Sequence, residues 1–405
     1  MARAQLCAIL GIALMLAATP SQARELVLGV DSRIGGDNNI FRATSDKTED
    51  GFWSISPRLT LRALNKKLNY NFWYEPTYTT YFETDDIDGF DHRGQGLLSW
   101  RPSPRDTIDL NVIHRNVRLL GLDDVTTGAG PEPVLVGDDA ERYRLTNVQT
   151  RYEHALDARW SVIGAVFFDD YDFSRDTSID SRGYGAELRT QYIWNARTQV
   201  GLSGSYRRRD SESDGAGRPA QLVDVFNVSA FIQHTFAPSM SILLQAGPSF
   251  ISSELDYDSP LIPDDNDQRT SYFATARLEK TWRFSEAGAS YTRSESAGGG
   301  TAFASILDQV RLDFDHRFDR NWSANVAGTW VHREEISSVA GRDEEEVTQY
   351  LFFFTLSRRL GKRLEAIGQY SLIWQDEDNT VGSGSLGAIQ RGYVGLRYTF
   401  DPIVF

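Results

Sequence analysis

Histidines and clustered carboxylates are the side chains of this chain whose types could do catalytic or metal chemistry. The six histidines fall in separate segments, at His92, His114, His154, His234, His316 and His332. A hydrolytic site needs a nucleophile or an acid held beside a positioned base, and no segment shows such an arrangement. The sequence therefore predicts no catalytic residue, no cofactor and no metal centre, and we expect the protein not to be an enzyme.

Runs of Asp and Glu lie in the connectors after odd-numbered predicted strands, at Glu83 to Asp86, Asp138-Asp139, Asp256 to Asp258, Asp264 to Asp267, Asp343 to Glu346 and Asp376 to Asp378. Clustered carboxylates suit hard divalent cations, but none of these runs has the spacing of an EF-hand loop. They fit solvated surface loops, or sites for divalent cations shared with lipopolysaccharide phosphates.

Other charged residues alternate with apolar ones over whole segments. Successive side chains of a strand point to opposite faces, so Val310, Leu312 and Phe314 would share a lipid-facing row. The charged neighbours would then face a water-filled interior, because a charge on the lipid face is costly. The predicted lumen-facing residues are Arg115, Glu187, Arg189, Arg207, Arg277, Arg311, Asp313, Asp315 and Arg317. They form either an electrostatic constriction or a set of mutually satisfied charges in a polar lumen.

Eighteen such segments can be placed as strands. They lie near 25–34, 51–63, 68–82, 90–101, 106–118, 141–154, 159–171, 182–194, 198–209, 222–236, 240–253, 269–282, 286–295, 303–318, 322–334, 346–358, 363–375 and 390–400. Connectors after even-numbered strands are short, as in Ser103-Pro104-Arg105, and those after odd-numbered strands are mostly longer and acidic. This alternation is typical of bacterial transmembrane barrels. We predict an all-β, antiparallel up-and-down transmembrane β-barrel of about 18 strands, or 16, with no plug domain.

The amino terminus predicts a cleaved signal peptide over residues 1–23 and a barrel over residues 24–405. Arg3 precedes an apolar run from Leu6 to Ala18 and a small-residue cleavage site at Ser21-Gln22-Ala23. Such a run is too short to span a bilayer. Cys7, the only cysteine, lies inside it, so the processed chain would have neither a disulfide nor a thiolate site.

Aromatic residues lie near predicted strand ends, where the girdles of a barrel form. They are Trp53, Trp73, Tyr78, Tyr81, Trp100, Trp160, Trp194, Trp282, Trp322, Trp330 and Trp374. The last strand, 392–400, is followed by a terminal Phe405, which resembles the insertion signal of outer-membrane barrels. The formal net charge of −14 makes nucleic acid an unsuitable partner.

The first strand runs into Gly35-Gly36-Asp37-Asn38-Asn39-Ile40-Phe41-Arg42. Together with Ser54 to Leu59 and the closing strand, this resembles the beta-barrel porin 2 family and the outer-membrane barrels encoded in exopolysaccharide-biosynthesis operons. In this loop Asp37, Asn38 and Asn39 would form a turn whose side chains bond the local backbone. Ile40 and Phe41 would anchor the loop against the rim, beside Arg42.

The resemblance implies a porin-like protein of the Gram-negative outer membrane that serves exopolysaccharide export or synthesis. Two alternatives stay open: a general or selective diffusion porin for small solutes, and a structural or adhesive surface barrel. The expected partners are outer-membrane lipid and lipopolysaccharide, the barrel-assembly machinery, exopolysaccharide and components of its export.

Overall fold

The structure, a computed structural model, describes residues 24–41, 47–118, 142–174, 178–212, 220–256, 265–296, 304–336, 346–378 and 387–405. The predicted signal segment lies outside these residues, as do Arg42 and the acidic residues Asp138, Asp139, Asp258, Asp264, Asp343, Glu344 and Glu345. Within the described ranges, no helix is long and apolar enough to cross a membrane.

Eighteen long antiparallel strands form one closed barrel in which each strand pairs with its neighbours along the chain. Their bounds are Arg24–Asp37 (β1), Asp50–Leu64 (β2), Leu68–Tyr81 (β3), Gly89–Ser103 (β4), Asp106–Arg118 (β5), Arg142–Ala155 (β6), Trp160–Phe173 (β7), Asp180–Asn195 (β8), Thr198–Glu212 (β9), Ala220–Ala237 (β10), Met240–Asp256 (β11), Asp265–Thr281 (β12), Ser285–Ser296 (β13), Ser305–Arg317 (β14), Trp322–Glu335 (β15), Glu346–Arg359 (β16), Leu364–Asp378 (β17) and Gly387–Thr399 (β18). A short 3-10 helix covers Asp85–Ile87. The predicted barrel class and strand number are confirmed, and the described residues hold no plug domain.

The barrel closes between its first and last long strands. β1 pairs with β2 along its whole length and with β18 from Gly29 to Asp37. A two-residue strand, Ile403–Val404 (β19), continues this edge by pairing with Glu25 and Leu26. Arg24 and Phe405 exchange two backbone hydrogen bonds, at 3.3 and 3.1 Å. Closure leaves no free edge at this junction, which is how barrels avoid edge-to-edge association.

Side-chain oxygens of Asn and Asp build several of the short connectors after even-numbered strands. In Asn65, Asp157, Asn195 and Asp319 the side chain accepts a hydrogen bond from the backbone N–H two residues later, at 2.6 to 2.8 Å. This local bonding is why these residue types favour turns. The N–H groups of Asn321 and Trp322 also lower the pKa of the Asp319 carboxyl below its usual value. We call this end of the barrel the short-turn end and the opposite end the long-loop end.

The two faces of the barrel wall differ as the strand period requires. On the outer face, Leu188, Leu312 and Val394 expose 60, 58 and 62% of their surface. Two aromatic residues expected in the girdles lie on the inner face, and for them the prediction is wrong. Trp73 lies under the Arg58 guanidinium at 4.3 Å, and Tyr81 is 6% exposed in an inner apolar cluster. Tyr81 ends β3 as predicted whereas Trp73 lies near the middle of the strand, and the parity of both residues places them on the inner face.

Inner-facing side chains are exposed near the short-turn end and buried near the long-loop end. The side chains of Arg62 and Arg277 are 48 and 63% exposed at the short-turn end. At the other end Val117, Leu145 and Ile389 are fully buried. The interior is therefore open at the short-turn end and filled at the long-loop end.

One part of the wall turns into the interior near the long-loop end. Pairing between β12 and β13 stops at Ala274 and Arg293, although β12 continues beside β11 as far as Asp265. Above this point both faces of the β13 to β15 sheet are buried, as Ile306 at 5% and Leu307 at 2% exposure show. A wall strand would leave one face exposed. We call Ser294 to Ser296, Ala304 to Asp308 and Arg333 to Ile336 the inturned corner.

The inturned corner packs on the inner faces of strands on both sides. Ile306 and Ile336 form a buried cluster with Val223 and Val225 of β10 and Ile251 of β11. Leu307 joins a second cluster on the opposite face, with Val331, Leu351, Phe353, Ile373 and Ile389. Burial of this apolar surface on both sides holds the corner inside the barrel.

Candidate functional site: the arginine-lined interior

On the inner wall, arginine guanidinium groups stack on aromatic rings, and these rings lie against glycines. Phe167, Gly185 and Arg207 are direct cross-strand partners on β7, β8 and β9. The Arg207 guanidinium lies 4.5 Å from the centre of the Phe167 ring. A Cβ added to Gly185 would come within 2.6 Å of that ring. Glycine at this position therefore lets the ring lie flat on the wall, with the guanidinium above it.

The same arrangement occurs at two further places. Gly201 lies under Phe231, and Arg189 lies 4.9 Å above that ring. Gly35 lies between Phe52 and Tyr393, which carry Arg391 and Arg33 at 4.3 and 4.8 Å. A cation over an aromatic face gains about 0.5–1 kcal/mol at an exposed site and more where water is excluded. The stacks thus fix the direction of the guanidinium groups on the inner wall.

Most of the predicted lumen residues have near neighbours of opposite charge. Arg189 pairs with Glu187 at 2.9 Å, and Arg311 with Asp313 at 3.7 Å. Arg277 pairs with Glu279 at 2.7 Å near the short-turn end. Asp315 accepts a hydrogen bond from Asn325 at 3.0 Å. These local pairs favour the alternative in which the lumen charges satisfy one another. The effect of the charges on passing solutes stays a prediction.

Arg115 and Arg317 complete the predicted set. Arg115 lies directly across from Arg93 on β4, which places two guanidinium groups side by side on the inner wall. Arg317 ends β14 at the short-turn end, where it is exposed. The structure therefore spreads the nine predicted residues over both halves of the interior and does not gather them into one ring.

A buried group of charges connects β7 and β9 with the inturned corner. Arg209 of β9 is 1% exposed and lies 2.8 Å from Asp169 of β7. Its other partner is Glu295 of the corner, which also pairs with Arg207 at 3.1 Å. The Ser181 hydroxyl accepts a further bond from Arg209 at 2.9 Å. Four charges thus neutralise one another inside the barrel.

Sequence reasoning found Arg207 but missed Arg209, Asp169 and Glu295. Arg207, Arg208 and Arg209 are consecutive, so strand parity alone places the first and third on one face. Arg208 lies on the other face, 3.9 Å from Asp224. No sequence pattern pairs Glu295 with residues some 86 positions earlier, because this contact depends on the inward bend of the corner.

The motif loop after β1 folds onto the inner wall. Asp37 accepts a hydrogen bond from the Asn39 backbone at 3.0 Å, and Asn38 bonds the backbone of Ala388 and Gln390 on β18. Ile40 is fully buried among Phe52, Tyr81, Ile87, Ile367 and Tyr393, with Phe41 packed against this cluster. The loop therefore connects the closing strands to the filled long-loop end.

Each histidine lies on a different strand, and none belongs to the buried group of charges around Arg209. Each bonds a side chain of a neighbouring strand, such as His332 with Thr348 at 3.1 Å and His234 with Thr198 at 2.9 Å. They share strand parity with exposed outer residues such as Phe236 and Phe314. Among the described residues no group of three His, Cys, Asp or Glu could hold a metal ion.

The closed barrel, the apolar outer face and the polar inner face together define a transmembrane β-barrel. The chain is a multi-pass outer-membrane protein, and by the usual orientation of such barrels its short-turn end is periplasmic. No family model matches the chain, and no curated protein matches it.

Solved barrels resemble it distantly. The siderophore receptor PirA of Pseudomonas aeruginosa is 10% identical, with a TM-score of 0.44, over 95% of this chain and 81% of its own. OccK2 (OpdF) of the same organism, in complex with glucuronate, is 11% identical with a TM-score of 0.44, over 93% of this chain and 98% of its own. OccAB2 of Acinetobacter baumannii is 9% identical with a TM-score of 0.43, over 93% and 98%. The fold assignment rests on the strand pairing of the chain itself.

Proposed function

We propose that the protein is a diffusion porin for small polar solutes and that it favours anions. The observation that carries this proposal is the repeated stack of glycine, aromatic ring and arginine on the inner wall. Arginines in a low-dielectric channel attract anions and raise their local concentration. Because the rings already hold these arginines in place, binding an anion costs less side-chain conformational entropy than it would for a freely rotating arginine.

Purified protein in planar bilayers tests this proposal. We expect stable conductance and a reversal potential under a potassium chloride gradient that indicates chloride preference. Replacing Arg189 and Arg391 by Gln should move this potential toward cations. The matched control is Arg182→Gln, because the Arg182 side chain is 67% exposed on the outer face. No conductance, or equal shifts in both variants, would contradict the proposal.

Export of exopolysaccharide is a second candidate, and the loop after β1 favours it. The residues that resemble the family motif pack into the filled end of the barrel, where Ile40 is fully buried. A loop in this place could control the passage of a polymer. Liposomes loaded with acidic polysaccharide or with small sugars separate the candidates, because a polymer exporter releases the polymer and a diffusion porin releases only the small sugars.

A further inference from the structure

Glu295 occupies a site whose geometry fits a free carboxylate. Its side chain is 4% exposed, and its two oxygens contact different arginines, Arg209 and Arg207. Arginine forks bind carboxylates with directed, charge-assisted hydrogen bonds. The site is therefore built for this group, and the occupant belongs to the inturned corner and not to the wall that carries the arginines.

Space at the site depends on a glycine of β8. A Cβ on Gly183 would lie 2.8 Å from an Asp169 oxygen and 3.1 Å from a terminal nitrogen of Arg209. The wall at this point is thus shaped around the charges. A larger residue would push against the Asp169 carboxylate and crowd the Arg209 guanidinium.

Charge balance requires an anion at this place. With Glu295 present, two arginines face Glu295 and Asp169. Moving Glu295 away would remove the carboxylate shared by Arg207, whose side chain is 30% exposed, and Arg209, which is 1% exposed, and an uncompensated buried charge is strongly destabilising. Departure of Glu295 is therefore favourable only if another anion replaces it.

No strand ladder joins the inturned corner to β12 in the part of the chain that the structure describes. Above Ala274 and Arg293 these strands share no described backbone pairing. Side chains bridge the gap instead: the Arg293 guanidinium lies 4.6 Å from the Tyr272 ring centre, and Arg269 lies 3.6 Å from Glu334. Such contacts can re-form in a second position more easily than a β-ladder can.

We propose that Arg207 and Arg209 form a recognition site for the carboxylate of a small anionic solute, that Glu295 fills this site in the empty channel, and that displacement of Glu295 releases the inturned corner. This deepens the proposed porin function and depends on it. The solute competes with Glu295 for the arginines, so its apparent affinity is the intrinsic affinity multiplied by the fraction of time during which Glu295 leaves the site.

Current block by galacturonate, with galactose as the neutral probe, tests the site in planar bilayers. If Glu295 occupies the arginines most of the time, Glu295→Gln should tighten the galacturonate interaction by about tenfold or more. Arg207→Gln should abolish it. Arg208→Gln is the matched control, because Arg208 lies on the opposite face beside Asp224, and it should leave the interaction unchanged. Galactose should have no effect on any variant.

A second measurement leaves Glu295 intact, in case its replacement prevents folding. Ser305 lies in the inturned corner and is 1% exposed, and the only native cysteine is Cys7 in the predicted signal segment. We expect Ser305→Cys to react with an impermeant maleimide faster in galacturonate than in galactose, while the parent protein stays unlabelled.

The inference is overturned if galacturonate neither blocks the channel nor speeds labelling. It is equally overturned if Arg207→Gln and Arg208→Gln behave alike. A channel that conducts and favours anions but ignores galacturonate would remove this inference and leave the porin function standing. A protein without conductance would remove the porin function instead.

Discussion

At the residue scale, side-chain parity decides what a substitution does. Arg311 and Leu312 are neighbours on β14, yet Leu312 is 58% exposed on the outer face while the Arg311 side chain is 12% exposed on the inner face. Replacing Leu312 by Arg should destabilise the barrel by about 2–4 kcal/mol if the position lies near the bilayer midplane. Urea titration in liposomes measures this.

Replacing Arg311 by Ser should leave folding intact. Because a positive charge is lost from the lumen, ion selectivity should move toward cations, as reversal potentials under a salt gradient would record. Normal folding of Leu312→Arg together with unfolding of Arg311→Ser would place the register of β14 off by one residue.

Glycines of the inner wall give a second residue-scale prediction. A Cβ at Gly185 would lie 2.2 Å from the Tyr206 carbonyl oxygen and against the Phe167 ring, whereas a Cβ at Gly164 meets nothing within 4 Å. Gly185→Ala should therefore cost about 1–3 kcal/mol through overpacking. Gly164→Ala should change stability by less than about 0.5 kcal/mol. Equal urea midpoints for the two variants would contradict the stacked arrangement.

Strand alternation predicts a face for each residue, but it predicts no partner across the barrel. The period of two assigned Arg207 and Arg311 to a face without any knowledge of their neighbours. The contact between Arg209 and Glu295 joins strands β9 and β13, which are not adjacent in the sheet. It depends on the depth to which the corner bends inward, and local alternation carries no information on this.

At the element scale, the short turns differ in how they respond to pH. The backbone N–H groups of Asn321 and Trp322 bond Asp319 and lower the pKa of its carboxyl. A lowered folded pKa means that the turn is stabilised above the unfolded pKa of about 4 and loses this stabilisation as the pH falls through the folded value.

We expect Asp319→Ala to destabilise the barrel near pH 7 and to have a smaller effect as the pH falls below the unfolded pKa of about 4. Asn65 makes the same kind of turn, with hydrogen bonds of 2.6 and 2.7 Å from Lys67 and Leu68, but it does not titrate. The destabilisation by Asn65→Ala should therefore be independent of pH. Urea midpoints at several pH values check both variants, and identical pH profiles would refute the role of the Asp319 charge.

The turns and strands could be predicted from local residue types and alternation, and each of the eighteen predicted segments is a strand in the structure. The inturned corner is the exception among the elements. Residues 303–318 are predicted as one continuous strand, although Leu307 and Asp308 reverse the alternation set by Val310, Leu312 and Phe314. This reversal indicates a change of surroundings but not the direction of the bend. The bend begins where β12 and β13 stop pairing. Pairing depends on both strands together, so the sequence of either strand alone does not predict where it stops.

At the scale of the whole molecule, the last residue takes part in closure. Phe405 bonds the backbone of Arg24 while β19 extends the β1 edge. Deleting Phe405 should reduce outer-membrane insertion and leave periplasmic aggregate, because the unpaired edge persists longer and invites association. A Phe405→Tyr variant, which keeps the backbone and the ring, serves as the control. A normal outer-membrane yield of the deletion variant would contradict this role, which we ascribe to recognition by the barrel-assembly machinery.

The uneven filling of the interior also has an electrical consequence. The interior is open at the short-turn end and filled at the long-loop end, so the conducting path of the proposed porin narrows toward the long-loop end. Ions entering from the wide side accumulate before the constriction, and ions entering from the narrow side do not. The protein should therefore rectify: at equal salt on both sides, the current at positive and negative voltage should differ in magnitude. A straight current–voltage line would show that the taper does not govern conduction.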